Sequence, residues 1–209
     1  MVIHQIAPRD KSKWSDVWKK CHDSIKDLPY EIKIWDDKEV DNELISDDGE
    51  FYNEYLSKLH PIYKWDYVRY VILERYGGAY LDMDVEIKID FFPLLNPNKV
   101  YLAEGGLNCM VSNHMMISPQ DYWFWSATKE QIKYKLKSNF AKAKEHSYFT
   151  VDLVGPIALS HIVLKEKLKY TPLSRYHFSE GDTDLQFSIH YSTNNWVTEH
   201  HPYVYYGNV

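Results

Sequence analysis

The chain is poor in the features that mark several protein classes. Its 209 residues include two cysteines, Cys21 and Cys109, which are too few for a disulfide framework and lie in no Cys-x-x-Cys pattern. Lysine and arginine number 24 against 30 aspartates and glutamates, which gives a formal net charge of -6. Because nucleic-acid binding relies on a basic surface, this balance argues against a nucleic-acid partner.

Long hydrophobic runs are also missing. No uninterrupted apolar run approaches the roughly 18 residues that a membrane span needs, so we expect no transmembrane segment. The first residues, 2–6, have the pattern of a strand and not of a signal peptide. With its free thiols, the chain is expected to be soluble and cytoplasmic.

The chain does have enough apolar residues for a sizeable core. Hydrophobic residues make up 44% of the sequence, and its length is typical of one domain, which we expect to span 1–209. Strands are predicted to alternate with helices, at 2–6, 30–36, 79–83, 99–103 and 114–118 for strands and at 12–26, 37–46, 49–59, 62–76, 120–137 and 155–168 for helices. This alternation predicts an α/β fold with a mainly parallel sheet and ligands beyond the carboxyl ends of its strands.

One segment carries most of the chemistry, Gly77-Gly78-Ala79-Tyr80-Leu81-Asp82-Met83-Asp84. Side chains alternate along a strand, so Asp82 and Asp84 are expected to share a face while Met83 points into the core. Two carboxylates held close together repel each other unless a cation lies between them. Oxygen ligands suit Mg²⁺ or Mn²⁺, which commonly carry a diphosphate.

The helix predicted at 62–76 leads directly into this segment. Asp66 and Arg69 are three residues apart and therefore share a helix face. An arginine at this place could bind a phosphate through two parallel hydrogen bonds. A second Asp-x-Asp pattern, at Asp182 and Asp184, has no preceding apolar strand and is predicted to be a turn.

These residues resemble the Asp-x-x-Arg-Tyr and Gly-Gly-x-Tyr-x-Asp-x-Asp signature of the sugar transferases of glycosyltransferase family 32. This family includes fungal initiating α-1,6-mannosyltransferases, and the glucosyltransferase domains of large clostridial toxins are its relatives. The opening strand Ile3-His4-Gln5-Ile6, the pair Gly155-Pro156 and the segment His190 through Trp196 are similar to further landmarks of the family.

The resemblance implies a GT-A fold and a metal-dependent, retaining transferase that uses a nucleoside-diphosphate sugar, with a UDP-sugar such as UDP-glucose favoured. Asp84 would bind Mn²⁺ or Mg²⁺, and Asp82 would contact the metal shell or the ribose. Arg69 would neutralise the diphosphate, and Asp66 would accept hydrogen bonds from the donor sugar. The acceptor would be a glycan, a lipid-linked glycan or a glycoprotein, and the chain could be a soluble bacterial or virus-encoded member, the latter in the host cytoplasm.

The resemblance also assigns residues at the two ends of the chain. His190 or Asn194 would complete the metal shell, and Trp196 would donate its indole N–H to a phosphate oxygen. Gln5 and Trp14 are candidates near the nucleobase. Glu104 and Asn113 are candidates for sugar or acceptor contact.

Three alternatives stay open on the residues alone. A Mg²⁺-dependent nucleotidyltransferase would carry a glycine-rich loop after the first strand, where this chain has Ala7-Pro8-Arg9-Asp10. A phosphohydrolase would have more acids or histidines near that strand. A non-catalytic sugar-binding module would explain the aromatic residues but not the set of acids together with Arg69.

Overall fold

Eight strands and eight α-helices make up the fold of this computed structural model, which describes residues 1–106, 108–179 and 185–193. The strands are β1 (Val2–Ile6), β2 (Glu31–Trp35), β3 (Gly78–Leu81), β4 (Val85–Ile87), β5 (Tyr101–Glu104), β6 (Val111–Ser118), β7 (Thr171–Leu173) and β8 (Ser188–His190). The helices are α1 (Asp16–Asp23), α2 (Asp37–Glu54), α3 (Pro61–Tyr76), α4 (Trp123–Ser138), α5 (Phe140–Glu145), α6 (Thr150–Leu153), α7 (Pro156–Lys165) and α8 (Arg175–Phe178).

Six of the strands form one sheet in the order β2-β1-β3-β6-β5-β7. β1 pairs in parallel with both β2 and β3, and β5 pairs in parallel with β7. β6 runs antiparallel to both of its neighbours, β3 and β5. The predicted α/β fold with a central, mainly parallel sheet is therefore confirmed, and β6 is the one reversed strand in this sheet.

The connection between α3 and β3 depends on two glycines. Pro61 is the first residue of α3, where a missing N–H costs nothing, and the helix ends at Gly77, which has φ 59°. Gly78 follows with φ 83°, and a Cβ atom there would lie 2.3 Å from the carbonyl oxygen of Val2. Only glycine fits this tight turn, which reverses the chain within two residues.

Several predicted helix boundaries change, most of all in α1 and α2. The helix predicted at 12–26 is α1, and it begins only after Ser15, whose hydroxyl accepts a hydrogen bond from the Trp18 N–H. The helices predicted at 37–46 and 49–59 are the two arms of α2, which breaks at Asp48 with φ -154°. The Asp48 carboxylate accepts from the Phe51 N–H and so restarts the helix.

The core lies on both faces of the sheet, as is typical of a mainly parallel sheet. On one face, buried aromatic residues of α2, α3 and α4 pack together, among them Phe51, Tyr63, Tyr67, Tyr70 and Trp125. On the other face a smaller cluster includes Ile3, Ile25, Leu81, Val85 and Phe91.

One stretch, Ser147–Lys165, is long and apolar enough to cross a membrane by length and composition alone, with a mean hydropathy of 1.4. A search for uninterrupted apolar runs does not find this stretch, because Asp152 and Ser160 lie within it. It contains α6 and α7, half of it is buried inside the protein, and α7 packs against β6. Its apolar residues therefore contribute to the core.

Candidate active site

A cavity of about 700 Å³ opens where β1 and β3 end. The chain leaves β1 in one direction to form β2 and returns on the other side to form β3, so ligands are expected in the crevice between these strand ends. Because β6 runs the opposite way, its first residues reach the same edge of the sheet. Ser112, Asn113 and His114 consequently line the cavity.

Arg69 lies at the centre of the acidic residues. Its Nη2 is 3.1 Å from Asp66 Oδ1 and 3.2 Å from Asp82 Oδ1, and its Nη1 donates to the carbonyl oxygen of Asn113 at 3.2 Å. The Tyr80 ring lies under the guanidinium, 5.0 Å from its carbon. Burial alone would lower the pKa of Arg69, but the neighbouring carboxylates, Asp82 foremost, raise it. Among the described residues the buried Nε has no hydrogen-bond partner, and the side chain lines the cavity.

Asp82 and Asp84 converge through a turn and not along a strand. β3 ends at Leu81, and the Val85 N–H donates to the Asp82 carbonyl oxygen at 3.1 Å. The expected alternation of side chains is therefore wrong as the cause, although the two acids do meet. Met83 is buried beside Ala7 and Trp14, and the Tyr80 hydroxyl donates to Asp82 Oδ1 at 2.8 Å.

The end of β8 and the residues that follow it contact Asp84. His190 Nε2 lies 3.4 Å from Asp84 Oδ1, and the Thr193 N–H and hydroxyl donate to Asp84 Oδ2 at 2.8 and 2.9 Å. The Tyr191 N–H donates to the Asp84 carbonyl oxygen at 3.0 Å. β8 pairs with β4, the strand that directly follows Asp84, so a contact between residues more than 100 positions apart is held by a small second sheet.

Asp82, Asp84 and His190 form a candidate metal centre. Each offers one ligand atom, and these atoms lie within 4.8 Å of one another. Two carboxylate oxygens and one imidazole nitrogen are a donor set that Mn²⁺ accepts, while Mg²⁺ prefers oxygen alone. Arg69 is in ion-pair contact with Asp66 and Asp82 but not with Asp84, so the three carboxylates exceed this cation by two charges. A divalent ion would restore the balance.

The pKa values of the two acids of this centre are shifted in opposite directions. The pKa of Asp82 is raised to about 6, because burial and the neighbouring Asp84 raise it by more than Arg69 lowers it. Burial also raises the pKa of Asp84, but the hydrogen bonds from His190 and Thr193 outweigh it and hold this pKa well below its ordinary value. Asp84 is therefore the carboxylate that stays ionised without help from a metal.

Asp66 is fixed in the cavity wall by three partners. Besides Arg69, it accepts hydrogen bonds from Asn113 Nδ2 at 3.0 Å and from the Thr150 hydroxyl at 2.9 Å. Gly155 leaves room for it, since a Cβ atom there would lie 3.3 Å from Asp66 Oδ2. Sequence reasoning missed Thr150, which is 84 residues away and belongs to no motif. Glu104 caps α8 by accepting from the Arg175 N–H and does not line the cavity.

The other end of the cavity is lined by Ala7, Pro8, Trp18, Asp37 and Trp65. These are not the residues that were expected to contact the nucleobase, Gln5 and Trp14.

Trp14 and Gln5 do not line the cavity. The Trp14 indole donates to the Pro8 carbonyl oxygen at 2.7 Å, and Gln5 Oε1 is 3.0 Å from His22 Nδ1. Both side chains are buried. Trp18, on α1, lines the cavity instead.

Several predicted residues lie outside the part of the chain that the structure describes. They are Asn194, Trp196, and the second Asp-x-Asp pair, Asp182 and Asp184.

Comparisons with known proteins agree with this geometry. Residues 11–101 match a family model described as "Glycosyltransferase sugar-binding region containing DXD motif". The chain is 26% identical over 209 residues to inositol phosphoceramide mannosyltransferase 1 of Schizosaccharomyces pombe. This alignment covers 93% of this chain and 61% of that protein. It is 31% identical over 173 residues to mannosyl phosphorylinositol ceramide synthase CSH1 of Saccharomyces cerevisiae, covering 81% and 43%. The chain thus spans about half the length of these relatives.

Solved structures share the fold at low identity. The "PaToxG Glycosyltransferase" structure has a TM-score of 0.57 at 16% identity, covering 79% of this chain and 68% of that one. The apo form of the glycosyltransferase GlyE of Streptococcus pneumoniae TIGR4 has a TM-score of 0.52 at 12% identity, covering 92% and 54%. The expected glycosyltransferase fold is confirmed by these likenesses.

Proposed function

We propose that this chain is a DXD-motif glycosyltransferase that transfers a hexose from a nucleoside-diphosphate sugar with the help of a divalent metal ion. The observation that carries the proposal is the group Asp82, Asp84 and His190 beside the buried Arg69, at the strand ends where a nucleotide is expected. The ion, Mn²⁺ in our proposal, would stabilise the charge that grows on the departing diphosphate.

Each part of the cavity has a separate task in this proposal. Asp84 and His190 hold the metal ion, with Asp82 as its third ligand. The guanidinium of Arg69 stays charged and meets the diphosphate. Asp66, held by Thr150 and Asn113, has its carboxylate fixed in the wall and accepts hydrogen bonds from sugar hydroxyls.

The nucleoside would lie at the far end of the cavity, against Ala7 and Pro8. Trp18 supplies the aromatic surface there, and Asp37 supplies a carboxylate for ribose or base N–H and O–H groups. In this proposal Trp18 takes the place that the sequence suggested for Trp14.

The donor sugar can be glucose or mannose. The resemblance of the motifs favours UDP-glucose, whereas the relatives are named for mannosyl transfer. Their names also point to an inositol phosphoceramide, a lipid acceptor that adds to the predicted glycan, lipid-linked glycan and glycoprotein. Retention of the anomeric configuration remains part of the proposal, to be checked by NMR of the product, and cytoplasmic location remains a prediction.

The comparisons favour the transferase over the alternatives. The matched relatives are named as sugar-transferring enzymes, which supports neither a nucleotidyltransferase, nor a phosphohydrolase, nor a non-catalytic sugar-binding module.

Slow hydrolysis of the donor in the absence of an acceptor tests the proposal directly. The purified chain is incubated with UDP-glucose, UDP-galactose, GDP-mannose or dTDP-glucose, with Mn²⁺, with Mg²⁺ or with EDTA, and the nucleoside diphosphate released is measured. We expect release from one donor, with Mn²⁺, and none with EDTA. Release of a nucleoside monophosphate, or equal release in EDTA, would contradict the proposal.

A further inference from the structure

We propose that His114 is a positioning residue that sets the plane of the His190 ring for metal binding and is not itself a ligand. The inference rests on the proposed function, because it concerns the ion held by Asp82, Asp84 and His190. It adds a residue that no sequence motif contains and that lies next to the metal centre on β6.

Both ring nitrogens of His114 are already occupied. Nδ1 lies 2.7 Å from the Ser112 hydroxyl, and Nε2 lies 3.0 Å from the Ser179 hydroxyl. A neutral imidazole has one donor and one acceptor nitrogen, and a serine hydroxyl can serve either of them. No lone pair of His114 is left for a metal ion, although the side chain lines the cavity.

The ring of His114 lies flat against the ring of His190. Their centroids are 3.9 Å apart and their planes differ by 11°. The coordinating lone pair of an imidazole lies in the ring plane, so a neighbour that fixes this plane also fixes where the lone pair points. With this plane held, His190 Nε2 faces Asp84 at 3.4 Å.

Ser179 ties the two histidines together. Its hydroxyl bonds His114 Nε2, and its carbonyl oxygen accepts from the His190 N–H at 3.0 Å. The side chain of one histidine and the backbone of the other are thus held by a single residue at the end of α8. β8 itself has only three residues, so the stacked ring supplies orientation that so short a strand cannot.

Binding of Mn²⁺ alone tests this inference without reference to turnover. Mn²⁺ affinity is measured by titration calorimetry for the wild type and for His114→Ala, His114→Phe and His190→Ala. His114→Ala removes the stacked ring and should weaken binding by about tenfold to a hundredfold, the usual effect of residues that orient metal ligands. His114→Phe keeps a flat ring and should stay within about fivefold of the wild type.

Pulsed EPR of bound Mn²⁺ separates orientation from ligation. One coordinated imidazole nitrogen should be seen in the wild type and in His114→Phe, and none in His190→Ala. Wild-type affinity in His114→Ala, or loss of the nitrogen signal in His114→Phe, would overturn the inference. Neither result would contradict the proposal that the chain binds a metal ion. A wild type that binds no Mn²⁺ would overturn the proposed function and this inference together. Urea unfolding of each variant checks that it is folded.

Discussion

Two groups of buried and half-buried charged side chains differ in how their charges are compensated. In the first, the helix cluster, Lys129 of α4 contacts Asp47 and Glu74, and Arg75 donates to Glu43 at 2.9 Å. Lys129 is 7% exposed, and each carboxylate of the helix cluster has a cation beside it. This group joins α2, α3 and α4.

The candidate active site has the opposite arrangement. Arg69 is in ion-pair contact with both Asp66 and Asp82, whereas Asp84 has only His190 and Thr193 beside it within the described chain. A protein selected only for stability would not hold three carboxylates so close to one cation, since buried charges are costly unless they are paired. Uncompensated charge therefore distinguishes the candidate active site from the helix cluster better than burial or the number of ion pairs does.

The largest effect should appear in the helix cluster, and in stability alone. Lys129→Met removes the cation between Asp47 and Glu74 and leaves Asp47 with Arg75 alone, whose Nη2 lies 3.9 Å away. We expect the free energy of unfolding to fall by about 3 kcal/mol, as is usual when one partner of a buried pair is removed. Urea unfolding measures this change. Mn²⁺ affinity should not change, because neither carboxylate lines the cavity; a loss of Mn²⁺ binding in the folded variant would contradict the distinction between the groups.

Asp84→Asn should act mainly on activity. It removes the ionised metal ligand, so Mn²⁺-dependent donor hydrolysis should fall by about a hundredfold or more, or at least about 2.7 kcal/mol. The amide oxygen can still accept from Thr193, but the lowered pKa of Asp84 means that the folded state favours its ionised form, so the variant should also be less stable in EDTA. Asp23→Asn, the same change on the exposed end of α1, is the control. Near-normal turnover in Asp84→Asn would remove this residue from the mechanism.

The free energy of unfolding should depend on pH through Asp82 of the candidate active site. Because the folded pKa of Asp82 is about 6 and its ordinary value is 3.8, the native state holds this proton more tightly than the unfolded state. The resulting stabilisation is fully present below the ordinary pKa and is lost as the pH rises through 6. In EDTA, the wild type should lose about 1 kcal/mol relative to Asp82→Asn between pH 5 and pH 7. A difference between the two proteins that does not vary with pH would show that Asp82 is not perturbed.

The smallest effect concerns the segment that closes over the site. The Tyr191 hydroxyl donates to Glu86 Oε2 at 2.5 Å and accepts from Lys20 Nζ at 2.6 Å. Tyr191→Phe removes both bonds and should weaken Mn²⁺ binding about fivefold, or about 1 kcal/mol, because His190 and Thr193 are held less firmly. Tyr134→Phe, on the exposed face of α4, is the matched control. Equal affinities in the two variants would show that Tyr191 does not anchor this segment.

Sequence patterns revealed the longer elements and the residues that are close along the chain. The spacing of Asp66 and Arg69 placed them on one helix face, and the glycine pair marked the turn before β3. β4, with three residues, is too short to show a period, and it was missed. Its partner β8 lies in a tail for which only strand and loop were expected.

The remaining site residues depend on tertiary structure. Thr150 reaches Asp66, and His114 reaches His190, through contacts between elements 76 or more residues apart, which no local pattern encodes. The prediction of Trp14 rested on the aromatic residue that the family places soon after the opening strand, whereas packing between elements decides that Trp18, and not Trp14, lines the cavity.

The hairpin formed by α3 and β3 has a consequence for how such enzymes diverge. Between Asp66 and Asp84 it carries the three acids around Arg69, and Arg69 itself, on 19 consecutive residues, folded back at Gly77-Gly78. Most of the groups that would meet the departing diphosphate therefore lie on one continuous segment, to which β8 adds His190. The walls around it, which come from distant parts of the chain, are free to change with each new substrate.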